Sequence, residues 1–371
     1  MLPLELTSNE INLLLVGEEE QPGLLRAYRE LVDALSAADT TEQRRALERY
    51  RLKVDDTAQA LWQRLMGPIC ERLETLNLRV GSPVLIVPHG SLGLLPLHAA
   101  SDGGQAFVQR HTLRFAPSLT VLAHIAARAR ATEAPPRLLA ISDPRGDLRF
   151  ARLECAQIAR LFGTGSAQVL TGEAATPAAL TRDVRGATHV HFACHGFFSW
   201  RDAKRSALAL AGDATFDVAE FMSPRVDLDA TRLVTLSACE SGLSDYARLP
   251  DEYLGLPAAL LLAGASTVVS TLWAVQDRST SLLMSEFYRR LLSGDAPAEA
   301  LAAAQRWLAS LSLRELTSWV ERARDQLRDA DSAQVLAAWS ADLARMRGTP
   351  PATRPYASPY YWAAFTVVGA A

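Results

Sequence analysis

Cysteine is scarce in this chain. Cys70, Cys155, Cys194 and Cys239 are scattered, with no CxxC pair. That argues against a zinc ribbon, and a disulfide scaffold is not expected at this length. Thiols in a reducing compartment are the simpler reading. An excess of basic residues is also missing. The net charge is −3, whereas a nucleic-acid binder usually carries a surplus of Lys and Arg, so no nucleic-acid partner is expected. No apolar run reaches the roughly 18–20 residues that span a bilayer. LGLPAALLLAGASTVVSTLW (254–273) comes nearest, but its Gly and Pro interruptions and β-branched second half read as a helix followed by a buried strand. MLPLELTSNEINLLLVGEEE, at the N-terminus, has neither a basic n-region nor a long apolar h-region. No signal peptide and no membrane span are expected, and the location expected is cytoplasmic. GxGxxG and GxxxxGK[ST] are both absent, so no nucleotide cofactor is indicated.

What is present is ordinary globular material. The chain has 371 residues, enough for one large domain with appendages or for two domains. It is 49% hydrophobic and 21% charged, a balance that supports a packed core in water. Residues 20–79 carry apolar side chains at three- and four-residue spacing, as in LLRAYRELVDAL and TEQRRALERYRLKVDDTAQALWQRLMGPICERLETL. This predicts a helical hairpin, with Asp39-Thr40-Thr41 between the helices and able to cap the second. Short apolar runs come next: VLIVPHG (84–90), RLLAIS (137–142), AQVLTG (167–172), THVHFACHG (188–196), SALALAG (206–212), RLVTLSAC (232–239), STVVSTLW (266–273) and YYWAAFTVVG (360–369). Helical patterns lie between most of them, including 151–162, 277–293 and 297–311. Alternation of this kind predicts an α/β sandwich around a mostly parallel sheet. The charged stretch 312–348 reads as a surface helix or helical insertion, followed by a Pro-rich connector.

HVHFACHGFFS (189–199) concentrates three of the seven histidines. In a strand His189, His191, Ala193 and His195 share one face, while Val190, Phe192, Cys194 and Gly196 share the other. Same-face neighbours stand about 7 Å apart, so ligation of one metal by all three imidazoles would need a bent strand, and no metal is expected. Only His195 lies at the strand end, where parallel sheets place their functional groups. The run RLVTLSAC ends in the same way at Cys239. A thiol and an imidazole brought together form a nucleophile and its acid–base partner. Gly196 has no side chain to block approach of a backbone N–H to an oxyanion, and Cys239 can supply a second N–H. Ser237, Ala238, Ser241 and Gly242 around the thiol are small and leave room for an extended peptide. Taken singly, a buried Cys is more often a small core residue and a His a satisfied polar one.

FACHG (192–196) together with LSACESG (236–242) resembles the CHAT domain, a caspase-like peptidase domain frequently associated with tetratricopeptide repeats. VPHGSLGLLPLHAA (87–100) resembles that family's upstream strand–turn motif. DEYLGLPAALLLAGASTVVSTLWAVQDRSTSLLMSEFYRRLLSG (251–294) resembles its helix–strand–helix block, with a W-x-V-x-D signature at Trp273, Val275 and Asp277. ASPYYWAAFTVVG (357–369) resembles its closing strand, and the likeness runs over roughly residues 20–371. It implies a caspase-like three-layer α/β/α sandwich over residues 81–371. Residues 1–80 would then form an N-terminal strand and helical hairpin packed on it. It also implies a cysteine endopeptidase with His195 as general acid/base and Cys239 as nucleophile. The oxyanion hole would come from the N–H groups of Gly196 and Cys239. Relatives tend to be latent and partner-controlled, and some act in antiphage defence by cleaving a gasdermin or another effector. This chain departs from many of them, because its N-terminal helices are too few for repeats of about 34 residues. A separate sensor or activator protein is one way to supply what is missing; a stand-alone enzyme is the other.

Specificity is less legible. Ser237 stands two positions before the nucleophile, where caspases carry a glutamine that helps hold a P1 Asp. Glu240, Trp273 and Asp277 complete the pocket candidates. A carboxylate at Asp277 would favour a basic or polar P1 side chain, unless Asp277 only caps the helix that comes after it. Basic and aliphatic P1 residues remain comparable expectations, and Trp273 is either an apolar wall or core. SGLSDYARLPDEY (241–253) reads as a polar, turn-rich loop after the nucleophile. The competing functional classes are a catalytically silent CHAT scaffold or sensor module and another thiol enzyme such as a transferase or thioesterase.

Overall fold

The apolar runs of the second half become the centre of one sheet. The computed structural model describes residues 7–18, 21–36, 39–129, 134–197, 199, 202–238, 255–346 and 348–370. Its strands, in chain order, are β1 (Pro83–Ile86), β2 (Thr112–Phe115), β3 (Leu138–Ser142), β4 (Ala167–Thr171), β5 (His189–Ala193), β6 (Gly196–Phe197), β7 (Ala207–Ala209), β8 (Thr215–Asp217), β9 (Leu233–Ser237), β10 (Thr267–Thr271) and β11 (Phe365–Gly369). Eight of them form the central sheet in the order β1-β2-β11-β10-β9-β5-β3-β4. From β10 to β4 every neighbouring pair is parallel. β11 runs antiparallel to β10, then parallel to β2, which is parallel to β1. The mostly parallel α/β sheet expected from the sequence is therefore present.

Every residue of β3, β5, β9, β10 and β11 is buried. Strands covered on both faces need apolar side chains on both faces, which is why these segments lack an alternating pattern. β5 shows the two layers directly. His191 reaches Glu154 of the Arg149–Phe162 helix and Tyr288 of the Asp277–Leu291 helix. Phe192, on the opposite face, packs edge-on against Phe221 of the Val218–Phe221 helix, with centroids 6.0 Å apart.

The hairpin of residues 20–79 forms as helices Leu24–Ser36 and Thr40–Leu61. Asp39 accepts the N–H groups of Thr41 and Glu42 at 2.8 and 3.2 Å, the cap expected of it. The second helix runs on through a π-turn, Trp62–Met66, into helix Gly67–Thr75. Pro68 lacks the N–H that would bond one turn back, and the turn widens just ahead of it. Tyr28 and Tyr50 from this hairpin are fully buried. Segment 312–348 is a pair of helices, Leu313–Gln326 and Ala330–Arg345, capped by Ser312 and Asp329.

Three expectations need correction. SALALAG does not join the central sheet; β7 pairs antiparallel with β6 and β8 in a small three-stranded sheet beside it. Three consecutive short strands close on one another by local antiparallel pairing, which needs no crossover helix. Where an N-terminal strand was expected, the described residues form helix Ser8–Leu15, started by a capping box between Thr7 and Glu10. β2 and β8 were not anticipated, because TLRF and TFD are short and mix polar with apolar residues. None of the described helices is long and apolar enough to cross a membrane.

Candidate functional site

Four adjacent parallel strands, β3, β5, β9 and β10, end at one edge of the sheet, and the described segments leaving β3, β5 and β10 carry Asp147, His195 and Asp277. β3, β5 and β9 finish in register: Ser142 opposes Ala193, and Ala193 opposes Ser237. β10 lies next to β9, and the Thr271 hydroxyl donates to the Ala238 carbonyl, tying the two strand ends together. Carboxyl ends of neighbouring parallel strands are where such folds collect reactive groups.

After β5 comes His195, whose side chain is 34% exposed. Its backbone is held by the small sheet: the His195 carbonyl accepts the Ala209 N–H at 2.8 Å, and Gly196 pairs with Leu208. The imidazole Nε2 lies 3.0 Å from both carboxylate oxygens of Asp147, which is itself exposed. With Nε2–H donated to a carboxylate, Nδ1 is the nitrogen left with a lone pair for proton transfer.

After β3 comes the turn that carries Asp147, and its anchor is Asp143. The Asp143 N–H donates to the Ala193 carbonyl at 2.9 Å, fastening this turn to the end of β5. Asp143 has φ +43°, a backbone setting that Asp tolerates better than most residues. One of its buried carboxylate oxygens accepts the N–H groups of Asp147 and Leu148, each at 2.9 Å. The other accepts Arg152 Nε–H at 2.7 Å. So Asp143 closes the loop, and the closed loop presents Asp147 to His195. The Arg145 guanidinium lies 5.3 Å from the centre of the exposed Phe197 ring, on the far side of His195 in sequence.

After β10 comes Asp277. It is the first residue of helix Asp277–Leu291, not its cap: Gln276 holds the capping position and makes no side-chain cap bond. The expected alternative, in which Asp277 only caps the helix, is therefore overturned. Burial pushes its carboxyl up to about 6, with the nearby carboxylates of Glu154, Asp143 and Asp147 adding to the rise and His195 opposing it. Trp273, four residues earlier, is 1% exposed. Its indole N–H donates to the Tyr360 carbonyl and its ring packs edge-on against Tyr50. The Tyr28 hydroxyl accepts the Ala274 N–H at 3.0 Å. The N-terminal helices thus hold the segment that leads to Asp277, and Trp273 sits in the core. Ser237 is buried at the end of β9. Cys239 and Glu240, with the loop 241–253, lie outside the described residues.

The three histidines of HVHFACHG go to three different partners, as their positions along the strand suggested. His189 Nδ1 lies 2.8 Å from the Thr188 hydroxyl, and its ring packs against Phe162; burial holds it down to about 4. His191 lies 2.8 Å from Glu154 and 3.3 Å from the Tyr288 hydroxyl, which donates to Thr235 at 2.9 Å. His195 faces Asp147. Cys70, Cys155 and Cys194 are buried thiols, and burial lifts Cys155 far above the usual thiol range, so it is not a reactive group. Sequence reasoning missed Asp143, Asp147 and Arg152. The only signal was DPRGD, an acidic residue at each end of a turn that comes after a buried strand.

The model of the CHAT domain matches residues 55–370. No curated protein matches the chain. Among solved structures, the separase–securin complex of Saccharomyces cerevisiae resembles it with a TM-score of 0.44 and 16% identity over 60% of this chain, which spans only 14% of the separase chain. Gingipain R, an Arg-specific cysteine proteinase, resembles it with a TM-score of 0.44 and 11% identity, covering 72% of this chain and 56% of that one. The complex of the Porphyromonas gingivalis RgpB pro- and mature domains gives 0.45 and 11%, over 91% and 70%.

Proposed function

Because the chain belongs to the CHAT domain family, matched over residues 55–370, we propose that it is a cysteine endopeptidase in which Cys239 attacks and His195 moves the proton. The observation that carries this reading is the register Ala193 opposite Ser237, which ends the His195 strand and the strand leading to Cys239 at one level. His195 Nδ1 takes the thiol proton, and the thiolate adds to the scissile carbonyl. The N–H groups of Gly196 and Cys239 receive the oxyanion. The imidazolium then protonates the departing amine, and water releases the acyl group with His195 as base. Asp147 orients the imidazole for both proton transfers.

Asp277 is the residue best suited to read the P1 side chain. Its carboxyl is half-buried, feels the charge of His195 and belongs to the first residue of the helix, not to its cap, which suits it to a guanidinium or ammonium. Such a cation would draw it into the charged form, and a basic P1 residue is favoured over an acidic one. The substrate is a partner protein, and an effector such as a gasdermin in antiphage defence is one such partner. The buried thiols fit a reducing cytoplasm. Latency, with a separate activator protein, is what the family resemblance implies.

The test is incubation of wild type, Cys239→Ala and His195→Ala with a proteome-derived peptide library, with and without candidate partner proteins, read by mass spectrometry. Cuts present in wild type and absent from both variants support the proposal and reveal P1. Cuts that persist in Cys239→Ala contradict it.

A further inference from the structure

The helical insertion of residues 313–345 does not rest on an arbitrary part of the surface. Arg152 Nη1 donates to Asp331 at 3.0 Å, while its Nε donates to Asp143 at 2.7 Å. Arg278, adjacent to Asp277, pairs with Asp342, and its guanidinium lies 5.2 Å from the Phe150 ring. Phe150 packs edge-on against Trp339, 5.2 Å between centroids, and Trp339 against Trp319. Arg160 donates to Gln326 at 2.7 Å. Apart from the Trp339–Trp319 pair inside the insertion, these contacts fall on the helix next after the Asp147 loop or on the start of the helix that carries Asp277.

We propose that Arg152 is a positioning residue that couples the helical insertion to the His195 site. The proposal rests on the peptidase reading, and it concerns how that site is regulated. Asp143 is buried, with 1% of its side chain exposed, and a buried carboxylate without its counter-charge is costly. Arg152 supplies that charge and thereby keeps Asp143 on the amides of Asp147 and Leu148. Asp331 holds the other end of the same guanidinium. When the Ala330–Arg345 helix is seated, Arg152 is fixed, the loop is closed and Asp147 faces His195. When that helix is displaced, Arg152 regains its rotamers and the loop loosens. The insertion therefore acts on the imidazole through one side chain without touching substrate.

The test uses the full chain with Asp331→Ala, Arg152→Ala, Asp147→Ala and the double variant Asp331→Ala/Asp147→Ala. Amide exchange at Asp147 and Leu148 is monitored by mass spectrometry, and peptide cleavage is measured in parallel. Asp331 is exposed, so its removal leaves the fold intact even if Arg152→Ala does not fold. Exchange at 147–148 should speed up severalfold in Asp331→Ala, because opening of that loop is what the contact restrains. kcat should fall about twofold to fivefold with KM unchanged, the scale of one exposed ion pair. In the Asp147→Ala background, Asp331→Ala should cost nothing more, since its route to His195 is already cut. Unchanged exchange at 147–148, or additive losses in the double variant, would overturn the proposal. Exchange reports on the loop whether or not a peptide is cleaved, so failure of the peptidase reading shows separately.

Discussion

The Nε2 of His195 lies 3.0 Å from each carboxylate oxygen of Asp147, although the two residues leave different strands of the sheet. The pairing depends on strand order. β3 and β5 are neighbours, and Asp143 bonds to the last residue of β5 before the chain turns toward Asp147. An exposed imidazole would otherwise sample many orientations, and the carboxylate selects one.

Asp147→Ala should lower kcat by about tenfold to a hundredfold, part of the roughly 10²–10⁴-fold that a positioned acid–base group supplies. KM should change little, because Asp147 holds the imidazole and not the peptide. Steady-state kinetics on the best library peptide would decide; a loss confined to KM would assign Asp147 to substrate binding instead.

Asp277 predicts opposite effects on stability and specificity. Its carboxyl sits near 6 in the fold against an ordinary 3.8, chiefly through burial. A carboxyl that ionises later in the folded state weakens the fold as pH rises through that window, and the deficit persists above it. Asp277→Asn should therefore melt higher than wild type at pH 7.5, with the advantage disappearing near pH 4. Cleavage after basic P1 residues should fall about tenfold or more, the scale of a lost charge-assisted hydrogen bond. Melting curves at both pH values and a P1 peptide series check the two halves independently.

Trp273→Ala should act on stability. The side chain is fully buried between Tyr50 and the Tyr360 carbonyl. Removal of a buried aromatic of this size costs about 3–5 kcal/mol. Chemical denaturation should show that loss, and a P1 preference altered at unchanged stability would place Trp273 in the pocket after all.

The His191–Glu154 pair lies beneath the site with almost no exposure. Glu154→Ala leaves the buried Nε2 of His191 without its hydrogen-bond partner and should cost about 2 kcal/mol. Tyr288→Phe removes one buried hydroxyl bonded to Thr235 and should cost about 1 kcal/mol. Equal effects in urea titrations would mean that the two residues share no more than packing.

The strands that form the floor of the site were legible because burial on both faces makes them continuous apolar runs: LLAIS, HVHFA, LVTLS and TVVST. His195 and Gly196 stood out because they come directly after such a run. Asp147 did not, since its approach to His195 depends on β3 lying beside β5, a non-local pairing that no local pattern encodes. Trp273 was ambiguous for the same reason: the residues that meet it, Tyr50 and Tyr360, come from distant parts of the chain. β11 kept its apolar run but not its direction, which the crossover from residue 310 onward decides.

The most direct measurement is covalent labelling by a peptidyl acyloxymethyl ketone with a basic P1 residue, read by intact-mass analysis and peptide mapping. Wild type should gain one label, on Cys239, and His195→Ala should label far more slowly at neutral pH. Labelling at Cys70, Cys155 or Cys194 instead, or at Cys239 with no dependence on His195, would contradict the pairing of thiol and imidazole on which the account depends.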